Sequence, residues 1–173
     1  MTTWPEPVER VAGFLRSTGA EARLEEFPLG TPTAEAAADA AGCGLDQIVK
    51  SLVFVSDGGP VVALVPGDRR GDDAKVARAV GAESARIARA REVEDATGFS
   101  PGGVAPFPLA PECRVVMEQS LLSHDVVWAG AGSERHMVRL SPRELARLTR
   151  AQAADLVQDT YDSSDPADAD KEP

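Results

Sequence analysis

Cysteine, long apolar runs and an excess of basic residues are what this 173-residue sequence lacks. Its two cysteines, Cys43 and Cys113, cannot supply a disulfide framework, and no Cys-x-x-Cys or His-x-x-x-His spacing is present to hold zinc. The longest nearly apolar stretches, Leu52–Val55 and Val61–Pro66, are far shorter than the roughly 20 residues that span a bilayer, and residues 1–7 contain no apolar run of the signal-peptide type. We therefore expect neither membrane insertion nor secretion, and we expect a protein of the reducing cytoplasm.

The charge of the chain is acidic and unevenly distributed. The chain has 18 Lys and Arg residues and 28 Asp and Glu residues, which gives a net charge of −10. Residues 151–173 contain seven of the acidic residues and one lysine, so the first 150 residues contain 17 basic and 21 acidic residues. Proteins that grip nucleic acid through many phosphates normally carry a basic excess, because counterion release drives their binding. Extended binding to DNA or RNA is therefore disfavoured, whereas recognition of a small ligand or of one end of a nucleic acid remains open.

The composition and the order of predicted elements indicate one α/β (α+β) domain. Hydrophobic residues make up 43% and charged residues 27% of the chain, which are ordinary globular values. We expect a single sheet flanked by helices over residues 1–155, followed by an acidic, flexible tail over residues 156–173 that has few apolar residues. The clearest local signal is a β-hairpin, in which two apolar runs, Ser51–Val55 and Val61–Val65, flank a Ser-Asp-Gly-Gly turn; such apolar strands predict a sheet covered on both faces.

Other segments show recognisable starts and ends. Helices are predicted from Val8 to Gly19, over Ala34–Ala41 with the hydroxyl of Thr31 as cap, from Asp72 or Asp73 to Val80, over Glu92–Thr97, and after the capping-box pattern Ser141-Pro-Arg-Glu. Strands are predicted near Glu21–Phe27, Ala85–Ala88, Arg114–Glu118, Val126–Ala129 and Met137–Leu140, with Gly130–Ser133 as a tight connection between the last two. Glycine and proline between Phe99 and Pro111 predict a structured loop without long regular elements.

Lys50 is the most informative single residue. It is one of three lysines and interrupts the apolar run from Ile48 to Val55. In an extended segment its side chain shares a face with Leu52 and Phe54, so the ammonium either snorkels to the sheet edge or points into a cavity, where it would be a cation for an anionic or carbonyl group of a ligand.

The loop Gly102–Pro106 offers a different chemistry. Two residues without Cβ atoms allow the main chain to approach a ligand closely, while the proline restricts the loop. A loop that merely connects two elements can have the same composition.

The other candidates for catalytic chemistry are weaker. We do not expect a catalytic triad of His124, Asp125 and either Ser120 or Ser123, because no serine lies in a Gly-x-Ser-x-Gly elbow. His136 is expected at the surface or at a sheet edge, and Cys43 is not expected to be a nucleophile.

Six segments, in this order, resemble the YbaK/EbsC family, also described as the prolyl-tRNA-synthetase-associated editing domain. The resemblance runs from about Gly13 to Thr149, and its most specific features are the lysine before an apolar strand, the Gly-Gly-Val-x-Pro loop and the Gly-x-Gly segment at these separations. The six segments are Thr31–Ala37, Gln47–Phe54, Ala63–Arg70, Thr97–Phe107, Trp128–Ser133 and Leu140–Leu145.

The resemblance implies a single domain with a mixed, curved sheet. It also implies hydrolysis of the ester in mischarged aminoacyl-tRNA, such as Cys-tRNA(Pro), Ala-tRNA(Pro) or a tRNA that carries another small mismatched amino acid. It implies catalytic roles for Lys50 and Gly103, and substrate binding by Ser51, Gly102, Val104, Ala105, Pro106, Gly130 and Gly132. Some cysteine-deacylating relatives have an acidic residue where Met137 aligns. No cofactor or metal is implied; the implied partners are the 3′ end of the tRNA and a tRNA synthetase.

Two other classes of function stay open at this point. A non-catalytic module that binds an aminoacyl-nucleotide or a synthetase would use the same pocket without turnover, and a small-molecule esterase would cleave amino-acid esters that carry no nucleotide. The oligomeric state and the role of the acidic tail are not determined by these patterns.

Overall fold

The computed structural model describes residues 3–161. Five helices lie in this span: α1 (Glu6–Thr18), α2 (Ala34–Ala41), α3 (Asp73–Ala79), α4 (Ala90–Thr97) and α5 (Pro142–Thr149). The strands are β1 (Ala22–Glu26), β2 (Ile48–Ser56), β3 (Gly59–Pro66), β4 (Arg69–Gly71), β5 (Ala85–Ile87), β6 (Arg114–Glu118), β7 (Val127–Ser133), β8 (His136–Leu140), β9 (Gln152–Ala154) and β10 (Val157–Tyr161). None of the helices described is long and apolar enough to cross a membrane.

The main sheet has eight strands in a mixed arrangement. Seven of them follow the order β1-β8-β7-β2-β3-β6-β9, and β5 pairs with the end of β2. The pairs β2–β7, β3–β6 and β6–β9 are parallel and the others are antiparallel. β4 and β10 form a separate antiparallel ribbon. The predicted mixed α/β domain is therefore confirmed.

Apolar side chains cover both faces of the sheet, as the apolar hairpin predicted. Val49 and Val53 of β2 pack into a core that includes residues of α1, α4 and α5. Phe54, on the opposite face of β2, packs with Val76 of α3, while Ile48 packs with Ala37 of α2. The alternation of side chains along β2 thus sends successive residues into different layers.

Helix starts follow local hydrogen bonding. Asp72 and Ser141 cap α3 and α5 by accepting from the backbone N–H three residues on, at 3.1 and 3.0 Å. The predicted cap of α2 was wrong by two residues, because the hydroxyl of Thr33 accepts from Ala36 N at 3.0 Å, while the hydroxyl of Thr31 donates to the carbonyl of Glu134. Thr33, and not Thr31, therefore caps the first turn of this helix.

The folded domain extends past the boundary expected at residue 155. Leu156 and Val157 are buried, and β10 pairs with β4 through Tyr161. Residues 156–161, which we had assigned to the tail, thus belong to the packed structure as far as they are described. The remainder of the expected tail, residues 162–173, lies outside the described residues.

Candidate functional site

A split between two central strands forms the candidate site. β2 and β7 pair only at Ile48↔Trp128 and Val49↔Ala129. Further along the same edge of β2, starting at Phe54, β2 pairs with β5 instead. Residues 50–52 of β2 therefore face a gap on that edge. The sequence after α4 enters this region, because the turn Pro101–Gly103 and residue Val104 lie against β7.

Two glycines permit the close approach of this loop to β7. A Cβ atom on Gly103 would lie 2.8 Å from the carbonyl oxygen of Gly132, and one on Gly130 would lie 2.8 Å from the carbonyl oxygen of Val104. Both obstacles are main-chain atoms, which cannot turn aside as a flexible side chain can. Glycine is thus required at 103 and 130 by the packing of loop against strand.

A cavity of about 270 Å³ lies at this junction. Its walls come from the start of α2 and the segment before it, from β2, from the glycine loop, and from β7 and β8. The lining residues are Thr31, Pro32, Thr33, Ala34, Ala37, Ile48, Val49, Lys50, Ser51, Leu52, Pro101, Gly102, Gly103, Val104, Gly130, Ser133, His136 and Met137. The structure therefore brings together six of the nine residues that the sequence placed in the site: Lys50, Ser51, Gly102, Gly103, Val104 and Gly130.

Lys50 is one of the residues that line the cavity. The residue is half-buried on the face of β2 shared with Leu52 and Phe54, as the alternation predicted. Its Nζ donates a hydrogen bond of 2.5 Å to the carbonyl oxygen of Arg69, the first residue of β4. This bond links the side chain of Lys50 to β4.

Ser51 places a polar atom beside Lys50. Its Oγ is buried and has no hydrogen-bond partner among the described residues, although the residue lines the cavity. A buried hydroxyl without a partner costs free energy unless a ligand or water supplies the missing bond. Ser51 is therefore a ready hydrogen-bonding group for a ligand in this cavity.

Three predicted substrate-binding residues do not line the cavity. Ala105 is fully buried in the core beneath the sheet, and Pro106 lines a different cavity next to Phe107. At Gly132, where φ is +103°, a Cβ atom would lie 2.8 Å from the carbonyl carbon of Pro7, so this residue packs against the start of α1.

The predicted tight connection at Gly130–Ser133 was wrong, because these residues form the end of β7. The turn between β7 and β8 follows at residues 134 and 135.

His136 is the residue that the sequence interpretation misplaced. It is 2% exposed, lines the cavity, and lies with Nδ1 2.6 Å from the hydroxyl of Ser133. Nε2 lies 3.4 Å from a carboxylate oxygen of Glu26, and the indole of Trp4 packs edge-on against the ring. Burial lowers the pKa of His136 and outweighs the opposing effect of the Glu26 charge. The lowered pKa favours the neutral imidazole at pH 7.

Lys50 and His136 are the titratable groups among the lining residues, and no carboxylate is among them. Over residues 3–161 no group of three or more His, Cys, Asp or Glu side chains is arranged to hold a metal ion. The lining residues thus include one lysine, residues with hydroxyl groups, one histidine and the glycine loop, in which Gly103 N donates to the carbonyl of Ser100 at 2.8 Å. This set suits an uncharged or anionic polar group next to a small apolar one.

The other candidates for nucleophilic chemistry lie elsewhere. His124 pairs with Asp46 at 3.6 Å, and Ser123 donates to the carbonyl of Ser120, so neither forms a triad. Burial raises the pKa of the Cys43 thiol, with the charge of Asp46 adding to the effect, and burial raises that of Cys113 to about 11. Both thiols are therefore poor nucleophiles at neutral pH, which agrees with the expectation for Cys43.

Comparison with known proteins shows that the chain is similar to tRNA editing domains. Residues 30–148 match the sequence profile of the aminoacyl-tRNA editing domain. EbsC of Enterococcus faecalis, to which deacylation of Cys-tRNA(Pro) and Cys-tRNA(Cys) is attributed, is 28% identical over 72% of this chain and 76% of its own length. The proline–tRNA ligase of Nitratidesulfovibrio vulgaris strain DP4 is 36% identical over 92% of this chain, which corresponds to 28% of the ligase.

A solved structure extends the likeness to the fold. It is a crystal structure of a protein to which trans-editing for prolyl tRNA synthetase is attributed. It is 39% identical to this chain, superposes with a TM-score of 0.83, and the match covers 90% of this chain and 99% of that one.

Proposed function

Since this chain belongs to the aminoacyl-tRNA editing domain family, we propose that it is a trans-editing deacylase that hydrolyses the ester bond of mischarged aminoacyl-tRNA. The observation that carries the proposal is that Lys50 and the loop residues Gly102–Val104 line one cavity. This arrangement supports a role for both in binding the ester of a substrate.

The proposed substrates are Cys- or Ala-tRNA(Pro), or tRNA carrying another small mismatched amino acid. A cavity of about 270 Å³ lies at the small end of the usual range for ligand sites, which fits a small side chain better than a large one. Apolar lining by Ala34, Ala37 and Met137 favours a small apolar or weakly polar side chain. The likeness to EbsC and to the proline–tRNA ligase supports tRNA(Pro) as the carrier.

The need for such an enzyme follows from the limits of binding. A synthetase pocket discriminates against one missing or extra methylene by only about 1–3 kcal/mol, so small amino acids require a second, hydrolytic selection. The acidic net charge is compatible with this role, because the reaction concerns the 3′ end of the tRNA and not its phosphate backbone. The proposed role is also compatible with a partner synthetase that holds the rest of the tRNA, and with a location in the cytoplasm, where tRNA is charged.

The proposed mechanism depends on positioning. Lys50 binds the terminal phosphate, the ribose or the ester carbonyl electrostatically, and the main chain at Gly103 fixes the aminoacyl group, so that water attacks the carbonyl carbon. Ser51 supplies a hydrogen bond to the bound substrate. The ester is already activated by the neighbouring α-ammonium and ribose hydroxyl, so the reaction calls for no nucleophile from the protein.

A panel of charged tRNAs tests the proposal. Wild-type protein is incubated with Cys-, Ala- and Ser-tRNA(Pro), with Pro-tRNA(Pro) as the cognate control, and release of the amino acid is measured. We expect hydrolysis of at least one mischarged substrate, sparing of Pro-tRNA(Pro), and a loss of about 100-fold or more in the Lys50→Ala variant.

Two outcomes would replace the proposal. Stabilisation of the protein by an aminoacyl-nucleotide analogue without hydrolysis of any charged tRNA would select the binding module. Equal cleavage of amino-acid ethyl esters and charged tRNAs would select a general esterase.

A further inference from the structure

The hydrogen-bond partner of Lys50 belongs to the β4–β10 ribbon and not to the main sheet. Arg69, whose carbonyl oxygen accepts from Lys50 Nζ at 2.5 Å, opens the three-residue strand β4. Within residues 3–161, β10 is the strand with which β4 pairs. Two-stranded ribbons are marginally stable alone, so the place of the Arg69 carbonyl depends on how firmly β10 is held.

Several hydrogen bonds hold β10 against β4. The strands pair at Val157↔Gly71 and Tyr161↔Arg69, and the guanidinium of Arg69 donates to the carbonyl of Gln158 at 2.5 Å. Just beyond β4, Asp72 N donates to the carbonyl of Leu156 at 2.8 Å. The ribbon thus carries the Arg69 carbonyl at one end and the start of α3 at the other.

Lys75 of α3 ties the ribbon together. Its Nζ donates to the carbonyl of Val157 at 2.7 Å, to Asp159 at 2.8 Å and to Asp155 at 3.1 Å. The side chain is 16% exposed and does not line the cavity. One ammonium group therefore binds three acceptors in and next to β10 from a helix that follows β4 by one residue.

We propose that Lys75 is a positioning residue for Lys50: by fastening β10 to α3 it holds β4 in register, and so it fixes the Arg69 carbonyl to which the Lys50 ammonium is hydrogen-bonded. The effect on catalysis rests on the proposed function; the effect on the Lys50 side chain does not. If Lys75 only stabilised the C-terminal strand, its loss would lower the stability of the fold and leave Lys50 unchanged.

The test compares Lys75→Met, which keeps the length of the side chain but none of the three bonds, with Lys75→Arg, which keeps the charge. Arg147→Met is the matched control, because it removes a cation whose two hydrogen bonds go to Glu144 on its own helix. We expect kcat/KM for a mischarged tRNA to fall about 10-fold in Lys75→Met, to recover in Lys75→Arg, and to be unchanged in Arg147→Met. In a Lys50→Ala background, Lys75→Met should cause no further loss.

A second readout does not require activity. The chain has three lysines, so the Lys75 variants retain only Lys50 and Lys171 and their side-chain ¹⁵N signals are readily assigned. We expect faster hydrogen exchange and a shifted Nζ resonance for Lys50 in Lys75→Met, with wild-type behaviour in Lys75→Arg.

The outcomes separate the two proposals. A Lys75→Met variant with a wild-type Lys50 resonance overturns the positioning role, whether or not the unfolding temperature falls. An inactive wild-type protein overturns the proposed function, while the Lys50 resonance in Lys75→Met still decides whether Lys75 positions Lys50.

Discussion

A Cβ atom placed on Gly103 would lie 2.8 Å from the carbonyl oxygen of Gly132 and 3.0 Å from its carbonyl carbon. The two backbones therefore approach each other closely, with Gly103 in the wall of the cavity. Because both obstacles are main chain, a side chain at 103 must displace the loop or the strand.

Gly103→Ala should therefore reduce deacylation without unfolding the protein. We expect a loss of about 1–3 kcal/mol in the free energy of unfolding from overpacking, and a fall of about 100-fold in kcat/KM because the loop main chain is displaced. Denaturant unfolding and deacylation rates on the same samples provide the measurement.

Gly58→Ala is the matched control for that substitution. Gly58 lies in the turn between β2 and β3, where a Cβ atom would have a single neighbour within 4 Å, the Ser56 hydroxyl at 3.8 Å. We expect its stability to change by no more than about 0.5 kcal/mol, with unaltered activity. Wild-type rates in Gly103→Ala would show that the loop main chain does not contact the substrate.

The pH dependence of stability should report the burial of His136. Because burial lowers the pKa of His136 below its ordinary value of 6.5, the unfolded chain takes up a proton more readily than the folded one. The stabilising contribution of the neutral ring is thus present above pH 6.5 and is lost as the pH falls through the lowered pKa.

His136→Asn tests this directly, since asparagine retains an acceptor for the Ser133 hydroxyl but does not titrate. We expect the free energy of unfolding of the wild type to fall more steeply than that of the variant between pH 7.5 and 5.5. Parallel curves for the two proteins would contradict the neutral, buried assignment.

Glu118 secures the segment that leads into β10. The residue is 3% exposed, and its two carboxylate oxygens accept from Ser120 N at 2.7 Å and from Leu156 N at 3.0 Å. We expect Glu118→Ala to cost about 2–3 kcal/mol, because the buried N–H of Leu156 loses its acceptor. Glu112→Ala, at an exposed acid, should be close to neutral; an equally small effect of Glu118→Ala in urea unfolding would refute the role of Glu118.

Local signals predicted most of the elements. The β2–β3 hairpin, the end of α1 at Gly19 and the Ser141 cap of α5 are confirmed, since each is set by residues close in sequence. Lys50 and the glycine loop line the same cavity, although the residues are about fifty positions apart. The family resemblance, and not periodicity, was what joined them.

The features that the sequence did not predict depend on distant partners. β4 and β10 are short and polar, and they become strands by pairing with each other across more than eighty residues. His136 is buried because Glu26 of β1 pairs opposite it and Trp4 covers its ring, neither of which is visible near residue 136. The Thr31 assignment failed because two threonines flank Pro32 and only the folded chain distinguishes them.

The central claim is that Lys50 and the Gly102–Val104 main chain serve one substrate in one cavity. An NMR titration with a non-hydrolysable 3′-alanylamido-adenosine tests it most directly, by following the Lys50 Nζ resonance together with the amides of Gly102, Gly103 and Val104. We predict that all of these signals shift and saturate at the same concentration of the analogue. Binding that leaves the Lys50 resonance or the loop amides unmoved would contradict the account.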